Sequence, residues 1–205
     1  MYKKEKLKQK IFISYAWNDN DVVSSFIEKL KERLDNEKVN IIQDNLNLSY
    51  KGSINDLMNK DGLGKYVILL ISEKYLKSQN CMFEFNEILR SKKFNNRCIP
   101  LITKDANLFS EEKRLKYVNH WDGKINELDH MIQSFEGDEN ELNTYYYSLN
   151  MLSNIRNNVA HNLENLGDMM VLEIDENHDN TIEVLLKAID TKLKLDIVKS
   201  ESDED

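Results

Sequence analysis

Short apolar runs alternate with helical repeats along the first half of the chain. The runs at residues 11–15, 39–43, 66–72 and 98–103 have the length and β-rich composition of strands. Apolar side chains at helical spacing predict helices over 21–36, near 54–58 and over roughly 80–94. Strands that alternate with helices in this way indicate βαβ units and a parallel sheet.

The pattern is less regular after residue 103. Residues 118–121 are expected to form a fifth strand, and the short apolar run at 169–174 is compatible with another. Helices are expected over 125–135, 142–166 and 181–195. The C-terminal half therefore predicts a mainly helical elaboration of the sheet domain.

Composition and charge narrow the class of protein. The 205 residues are 40% hydrophobic and 31% charged, as in an ordinary soluble globular protein. The net charge of −8 disfavours a nucleic-acid partner, because phosphate neutralisation supplies most of that affinity. The longest apolar run, residues 67–71, is far shorter than the ~20 residues that a membrane span needs. Cys81 and Cys98 form neither a disulfide framework nor a metal-ligand pattern, which favours a reducing, cytoplasmic location.

The two ends of the chain have opposite charge. Residues 1–10 form a lysine-rich basic leader, and residues 199–205 form an acidic tail that is predicted to be disordered. Between them we expect one domain over 11–198, with its core at 11–122 and its helical elaboration at 123–198.

The carboxyl ends of the strands are where parallel sheets bind ligands, so functional residues are expected at 14–17, 44–52 and 72–84. The first of these turns has no glycine, which excludes a Rossmann dinucleotide site, and the sequence has no P-loop. The third strand ends in Ile71 and Ser72 rather than an aspartate, which excludes a response-regulator receiver. The four histidines do not have ligand spacing, so no metal site is predicted.

Three segments resemble the signature segments of Toll/interleukin-1 receptor (TIR) domains in their bacterial form. Residues 11–19, IFISYAWND, resemble the first signature box. Asp44 followed by Leu48 and Gly52 resembles the BB loop after the second strand. Residues 72–84 resemble the segment in which the third strand runs into a helix that carries a catalytic glutamate. The fold we expect is therefore α/β, a flavodoxin-like three-layer sandwich with a central, mainly parallel five-stranded sheet and a helical C-terminal elaboration.

The resemblance also implies an activity and a site. Many bacterial TIR domains cleave NAD⁺ at the nicotinamide–ribose bond, which implies an NAD⁺ glycohydrolase or ADP-ribosyl cyclase with NAD⁺ as substrate and no bound cofactor. The implied catalytic residue is Glu84. The implied substrate contacts are Ser14, Tyr15, Trp17, Asp44, Leu48 and Asn80. Asn80 is a departure, because these enzymes often carry tryptophan four residues before the glutamate.

Small standalone members of the family resemble the signal generators of Thoeris-like antiphage systems. The resemblance therefore implies an ADP-ribose-derived signal, or depletion of NAD⁺, in response to a phage-derived trigger. It also implies a homo-oligomer that forms through TIR–TIR contacts, with no nucleic-acid or membrane partner.

Two other readings stay open. The chain is compatible with a non-enzymatic TIR adaptor that acts through homotypic contacts. The spacing of Arg156 and His161 also matches that of HEPN-type RNases, although the acidic charge and the few predicted helices favour an ordinary surface helix at this position.

Overall fold

A parallel sheet lies at the centre of the protein, and four of its strands form where the apolar runs predict. The computed structural model describes residues 10–35, 40–43, 66–90, 97–168, 171–175 and 177–202. The strands are β1 (Lys10–Ser14), β2 (Asn40–Gln43), β3 (Tyr66–Ile71), β4 (Cys98–Ile102) and β5 (Leu172–Glu173). All of the pairings are parallel, in the order β2-β1-β3-β4-β5, which is the flavodoxin-like order.

The expected fifth full strand at residues 118–121 is wrong. These residues lie inside a 23-residue helix, and the edge of the sheet next to β4 holds only the two-residue β5. Tyr117, Val118 and Trp121 are spaced i, i+1 and i+4, which suits one face of a helix as well as a short apolar run. The apolar run at 169–174 does contain a strand, which is β5 at Leu172–Glu173.

Six helices are described. They are α1 (Asp21–Asp35), α2 (Glu73–Lys77), α3 (Gln79–Arg90), α4 (Glu111–Gln133), α5 (Glu139–Asp168) and α6 (Asp179–Ser202). The helix α6 continues to Ser202, so the first four residues of the tail predicted over 199–205 are helical rather than disordered. The short helix expected near 54–58, and residues 1–9 of the basic leader, lie outside the described residues.

The helices cover both faces of the sheet, because the inner strands are buried on both sides. Every residue of β3 is buried, and alternate side chains enter opposite cores. One core packs Val67, Leu69 and Ile71 against α2, α3, α4 and α5. The other packs Ile68 and Leu70 against α1 and α6. The result is the expected α/β architecture of three layers, with the helices α4 and α5 forming a long addition on one face.

Candidate active site

A small pocket lies at the carboxyl end of β1, where the chain turns toward α1. Five of the seven residues that the sequence predicts for the site line this pocket: Ser14, Tyr15, Trp17, Asn80 and Glu84. Among the described residues, Ser78 and Cys81 also line it, and its volume is about 90 Å³. The structure thus brings the first signature box and the start of α3 together around one cavity.

The helix α3 positions the candidate catalytic carboxylate. Asn80 and Glu84 are one turn apart and face the pocket, while Met82 and Phe85 are buried in the core beneath them. Glu84 is half-buried, so its carboxylate is partly shielded from water without being sealed in the core. Shielding of this kind strengthens the interaction of a carboxylate with a positive charge that develops beside it.

Tyr75 supports the pocket from below, and the sequence analysis did not single it out. Its hydroxyl lies 3.2 Å from Ser14 Oγ, and both residues are buried. Burial raises the pKa of Tyr75 well above its usual value, and the nearby thiol of Cys81 and the charge of Glu84 add to this effect. Tyr75 is therefore a neutral phenol that holds the hydroxyl at the end of β1. Its only sequence signal is its place three residues after Ser72, in the segment that resembles the family.

Hydrogen bonds join the carboxyl end of β3 to the loop after β1. Ser72 Oγ accepts the backbone N–H of Tyr75 at 3.0 Å, capping α2, and donates to Asp19 Oδ2 at 2.6 Å. Asp19 also accepts the backbone N–H of Asn20 at 2.8 Å. Burial raises the pKa of Asp19 from its ordinary 3.8, and the bonds from Ser72 and Asn20 oppose that change only in part. These contacts fix the loop that carries Trp17.

Trp17 and Cys81 differ in their exposure. Trp17 is 57% exposed, so its ring is open to a ligand rather than packed in the core. Cys81 is buried among core residues, and its Sγ lies 3.9 Å from the carbonyl oxygen of Tyr15. The pocket therefore has an exposed aromatic rim and a buried floor.

The remaining predicted contacts, Asp44 and Leu48, lie outside the described residues. The structure neither places them in the pocket nor removes them from it, and they stay predictions.

Arg156 and His161, the pair with RNase-like spacing, lie apart from this pocket on α5. The guanidinium of Arg156 donates to both carboxylate oxygens of Asp122 on α4, at 2.6 and 3.3 Å. His161 is exposed, and its Nε2 lies 3.1 Å from the side-chain nitrogen of Asn165. Arg156 thus forms an ion pair between α5 and α4, which gives it a structural role.

Comparison with known proteins identifies the family. The family model of the TIR domain matches residues 11–133, more than half of the chain, and the chain belongs to this family. A structure of the activated Roq1 resistosome directly recognizing the pathogen effector XopQ (its TIR domains) matches with a TM-score of 0.51 and 19% identity. The match covers 89% of this chain and 99% of that chain, and at this identity it shows a shared fold. No curated protein sequence matches the chain.

Within the described ranges, each helix is either too short or too polar to cross a bilayer.

Proposed function

We propose that this protein cleaves NAD⁺ at the nicotinamide–ribose bond, with Glu84 as the catalytic carboxylate. The observation that carries the proposal is the position of Glu84. It lies half-buried in a pocket that it shares with Ser14, Tyr15, Trp17 and Asn80. The membership of the TIR family supports this activity, because many of its bacterial members cleave this bond.

The chemistry suits a carboxylate. Nicotinamide leaves as a neutral molecule with the electron pair of the glycosidic bond, and the ribose becomes an oxocarbenium-like cation. The anion of Glu84 stabilises this positive charge and accepts a hydrogen bond from a ribose hydroxyl. Attack of water on the cation then yields ADP-ribose and a proton, whereas attack by a group of the same nucleotide yields a cyclic product.

The other residues of the pocket have roles in binding. The exposed ring of Trp17 offers a face for stacking on the nicotinamide ring. Asn80 offers an amide for hydrogen bonds in place of the tryptophan that is frequent at this position. The hydroxyl of Ser14, which lies 3.2 Å from that of Tyr75, is proposed to form a hydrogen bond with a ribose hydroxyl.

The pocket formed by the described residues is too small for a whole dinucleotide. Its volume of about 90 Å³ is well below the ~300–1,000 Å³ of ordinary small-molecule pockets. It suits only the reacting end of NAD⁺. We therefore propose that self-association supplies further substrate contacts. The structural similarity to TIR domains of an activated resistosome is consistent with such an assembly.

The biological role we propose is antiphage defence in the cytoplasm. A phage-derived trigger promotes assembly, and the enzyme then produces an ADP-ribose-derived signal or depletes NAD⁺. This part of the proposal rests on the resemblance to standalone, Thoeris-like TIR proteins.

The test is incubation of the purified protein with NAD⁺, followed by chromatography and mass spectrometry of the products. Glu84→Gln keeps the size of the side chain and removes its charge, and we expect nicotinamide release to fall by roughly 10²-fold or more. Glu87→Gln is the matched control, since Glu87 lies on the same helix but pairs with Arg90 at 3.1 Å. The mass of the product distinguishes hydrolysis from cyclisation.

Equal nicotinamide release by the wild type and by Glu84→Gln would refute the catalytic role.

A second candidate function is that of a non-enzymatic adaptor. One observation favours it, which is Asn80 in place of tryptophan. Absence of nicotinamide release at high protein concentration, and also in lysate from phage-infected cells, would establish the adaptor instead.

A further inference from the structure

The helices α4 and α5 form a hairpin whose outer half stands clear of the core. This outer half, residues 122–151, is called the hairpin arm below. None of its residues is buried, whereas Trp121 before it and Leu152 after it belong to the core. Near its end, the rings of Phe135 and Tyr145 pack edge-on with centroids 5.2 Å apart, which joins the two helices. The arm is therefore a projecting pair of helices.

The arm projects past the carboxyl edge of the sheet. The helix α3 runs from that edge back to the amino edge, because it joins the parallel strands β3 and β4. Gln79 at the start of α3 donates to Met151 Sδ at 3.1 Å, and Asn86, two turns later, accepts a hydrogen bond from Asn162. The helix α5 thus runs parallel to α3, and its residues before Met151 lie beyond the start of α3. At ~1.5 Å per residue, Glu139 lies about 18 Å further out.

The surface of the arm is aromatic and acidic. Three consecutive tyrosines, Tyr145, Tyr146 and Tyr147, are exposed on α5, and Met131 is exposed on α4. Exposed apolar side chains that lie together are typical of a protein contact surface. The sequence has no lysine or arginine over 125–155, and this stretch contains six carboxylates. They are those of Glu127, Asp129, Glu136, Asp138, Glu139 and Glu141. The charge of the arm opposes its pairing with a second arm and favours a basic partner.

The basic leader of this chain has the complementary chemistry. Residues 1–9 contain one glutamate and four lysines, which are Lys3, Lys4, Lys6 and Lys8. Tyr2 and Leu7 add apolar side chains to the same segment. A segment of this composition offers ammonium groups to the carboxylates of the arm and apolar groups to its tyrosines.

The geometry favours a contact between two copies over one within a chain. Lys10, which follows the leader, begins β1 at the amino edge of the sheet, opposite the arm. The five residues of β1 span roughly 15 Å, and the arm extends about 18 Å beyond the carboxyl edge. Nine residues reach at most ~30 Å when fully extended. A leader would therefore use up its whole length before it reached the end of its own arm.

We propose that the hairpin arm of one copy binds the basic leader of a second copy. The lysines of the leader pair with the carboxylates of the arm, and Tyr2 and Leu7 pack against Tyr146 and Tyr147. The contact is heterologous, because leader and arm are different surfaces, so each copy can bind two others. It does not depend on the NAD⁺-cleaving activity proposed above.

The test is sedimentation velocity of the full chain over a range of concentrations. At an ionic strength of about 0.15 M, the Debye length is ~8 Å, so diffuse attraction between chains is largely screened. We expect the wild-type sedimentation coefficient to rise with concentration. Two charge-reversed variants remove the contact from either side, and each should weaken association by about tenfold or more.

The variants change exposed charges only on the arm and in the leader. The leader variant is Lys3→Glu, Lys4→Glu, Lys6→Glu and Lys8→Glu. The arm variant is Glu127→Lys, Glu136→Lys, Glu139→Lys and Glu141→Lys, all at exposed positions. It keeps Asp138, whose carboxylate accepts the first backbone N–H groups of α5. The matched control, which should associate like the wild type, is Glu28→Lys, Glu111→Lys, Glu164→Lys and Glu183→Lys, also at exposed positions.

Mixing the two variants gives the decisive result, because the arm variant keeps a wild-type leader and the leader variant keeps a wild-type arm. We expect the mixture to regain association, which a misfolded variant could not produce. Tyr146→Ser with Tyr147→Ser leaves the charge unchanged and should weaken wild-type association several-fold. The proposal is overturned by a wild type that stays monomeric, by equal weakening in the control, by a mixture that does not associate, or by unchanged association in the tyrosine variant.

Discussion

The hydroxyl of Tyr75 is the residue-scale detail that most affects the proposed active site. It bonds Ser14 beneath the pocket, while its ring packs edge-on against Phe85, with centroids 6.4 Å apart. The ring therefore contributes to core packing, and the hydroxyl forms a hydrogen bond with Ser14 at the pocket. A substitution that removes only the hydroxyl separates these two functions.

We expect Tyr75→Phe to lower the free energy of unfolding by about 1 kcal/mol, which is typical of one lost buried hydrogen bond. We also expect nicotinamide release to fall several-fold, because Ser14 loses the group that orients it. Urea denaturation and the NAD⁺ assay measure the two effects. Tyr117→Phe is the matched control, since Tyr117 is also buried and its hydroxyl donates to the carbonyl of Ala106 at 2.7 Å, away from the pocket. A similar loss of activity in both variants would show that Tyr75 acts through stability alone.

Asp19 gives the molecule a predictable dependence on pH. Its pKa is raised in the folded chain, chiefly by burial, so the folded state binds a proton there at higher pH than the unfolded state. Its contribution to stability is therefore complete below the ordinary pKa of 3.8 and is lost as pH rises through the folded pKa. We expect the stability of the wild type relative to Asp19→Asn to be greater at about pH 4 than at about pH 7. Urea denaturation of both proteins at each pH measures the difference, and a difference independent of pH would contradict the assignment.

Individual site residues were predictable to different degrees. Ser14, Trp17 and Glu84 lie in segments that resemble the family and follow strand ends, and the structure brings them to one pocket. Tyr75 was missed because an aromatic residue on an apolar helix face has the same sequence pattern whether or not its hydroxyl reaches a site.

At the scale of elements, the packing of α5 against α3 holds the helix that carries Glu84. Ile155, Val159 and Leu163 are buried along one face of α5. Asn86 on α3 lies within this contact and donates to Asn154 Oδ1 at 3.1 Å, while its own oxygen accepts a hydrogen bond from Asn162. The contact thus combines an apolar face with a small, satisfied polar network.

We expect Ile155→Ala to cost about 2–5 kcal/mol of stability, as is usual for a fully buried isoleucine. Tyr147→Ala, at a residue of the same helix that is 65% exposed, should change stability by less than ~0.5 kcal/mol. Thermal unfolding of the two variants measures both values. Similar destabilisation by the two substitutions would mean that the exposed end of α5 contributes to stability through contacts other than those described.

Helices and strands were predictable from the sequence where apolar residues recur with a clear helical or strand pattern. The strands β1, β3 and β4 and the helices α1 and α5 lie within a few residues of their expected positions. The strands are continuous apolar runs, and the apolar residues of the two helices recur at helical spacing. The strand expected at 118–121 failed because its two apolar residues, Val118 and Trp121, are three positions apart, which is a helical spacing. The edge strand β5 has only two residues, so pairing with β4 rather than local pattern determines it.

At the scale of the whole molecule, the carboxyl edge of the sheet carries two separate cavities. The pocket at Glu84 lies by the β1 end and the start of α3. A second cavity of about 500 Å³, lined in part by Thr103 and Ile174, lies by the ends of β4 and β5. At this edge Asn20 donates to Asp105, and Asp19 accepts the hydrogen bond from Ser72. These hydrogen bonds connect the loop after β1 to the carboxyl ends of β3 and β4, next to which both cavities lie.

The small volume at Glu84 leads to a prediction about assembly. If a second copy supplies part of the substrate site, the activity per chain follows the fraction of assembled protein. Below the dissociation constant of the dimer, tenfold dilution should lower the specific activity by about tenfold. Nicotinamide release measured over a wide range of protein concentration gives this dependence.

The Glu84→Gln chain provides the decisive control, because it lacks the proposed catalytic group but keeps every other surface of the protein. Added in excess to dilute wild-type protein, it should restore the specific activity of the wild-type chains, since each active pocket regains its partner. Substitutions within residues 45–52, in the segment that resembles the BB loop, should weaken this rescue. Specific activity that stays constant on dilution, is indifferent to the added chain and is unaffected by those substitutions would mean that a single chain forms the whole site.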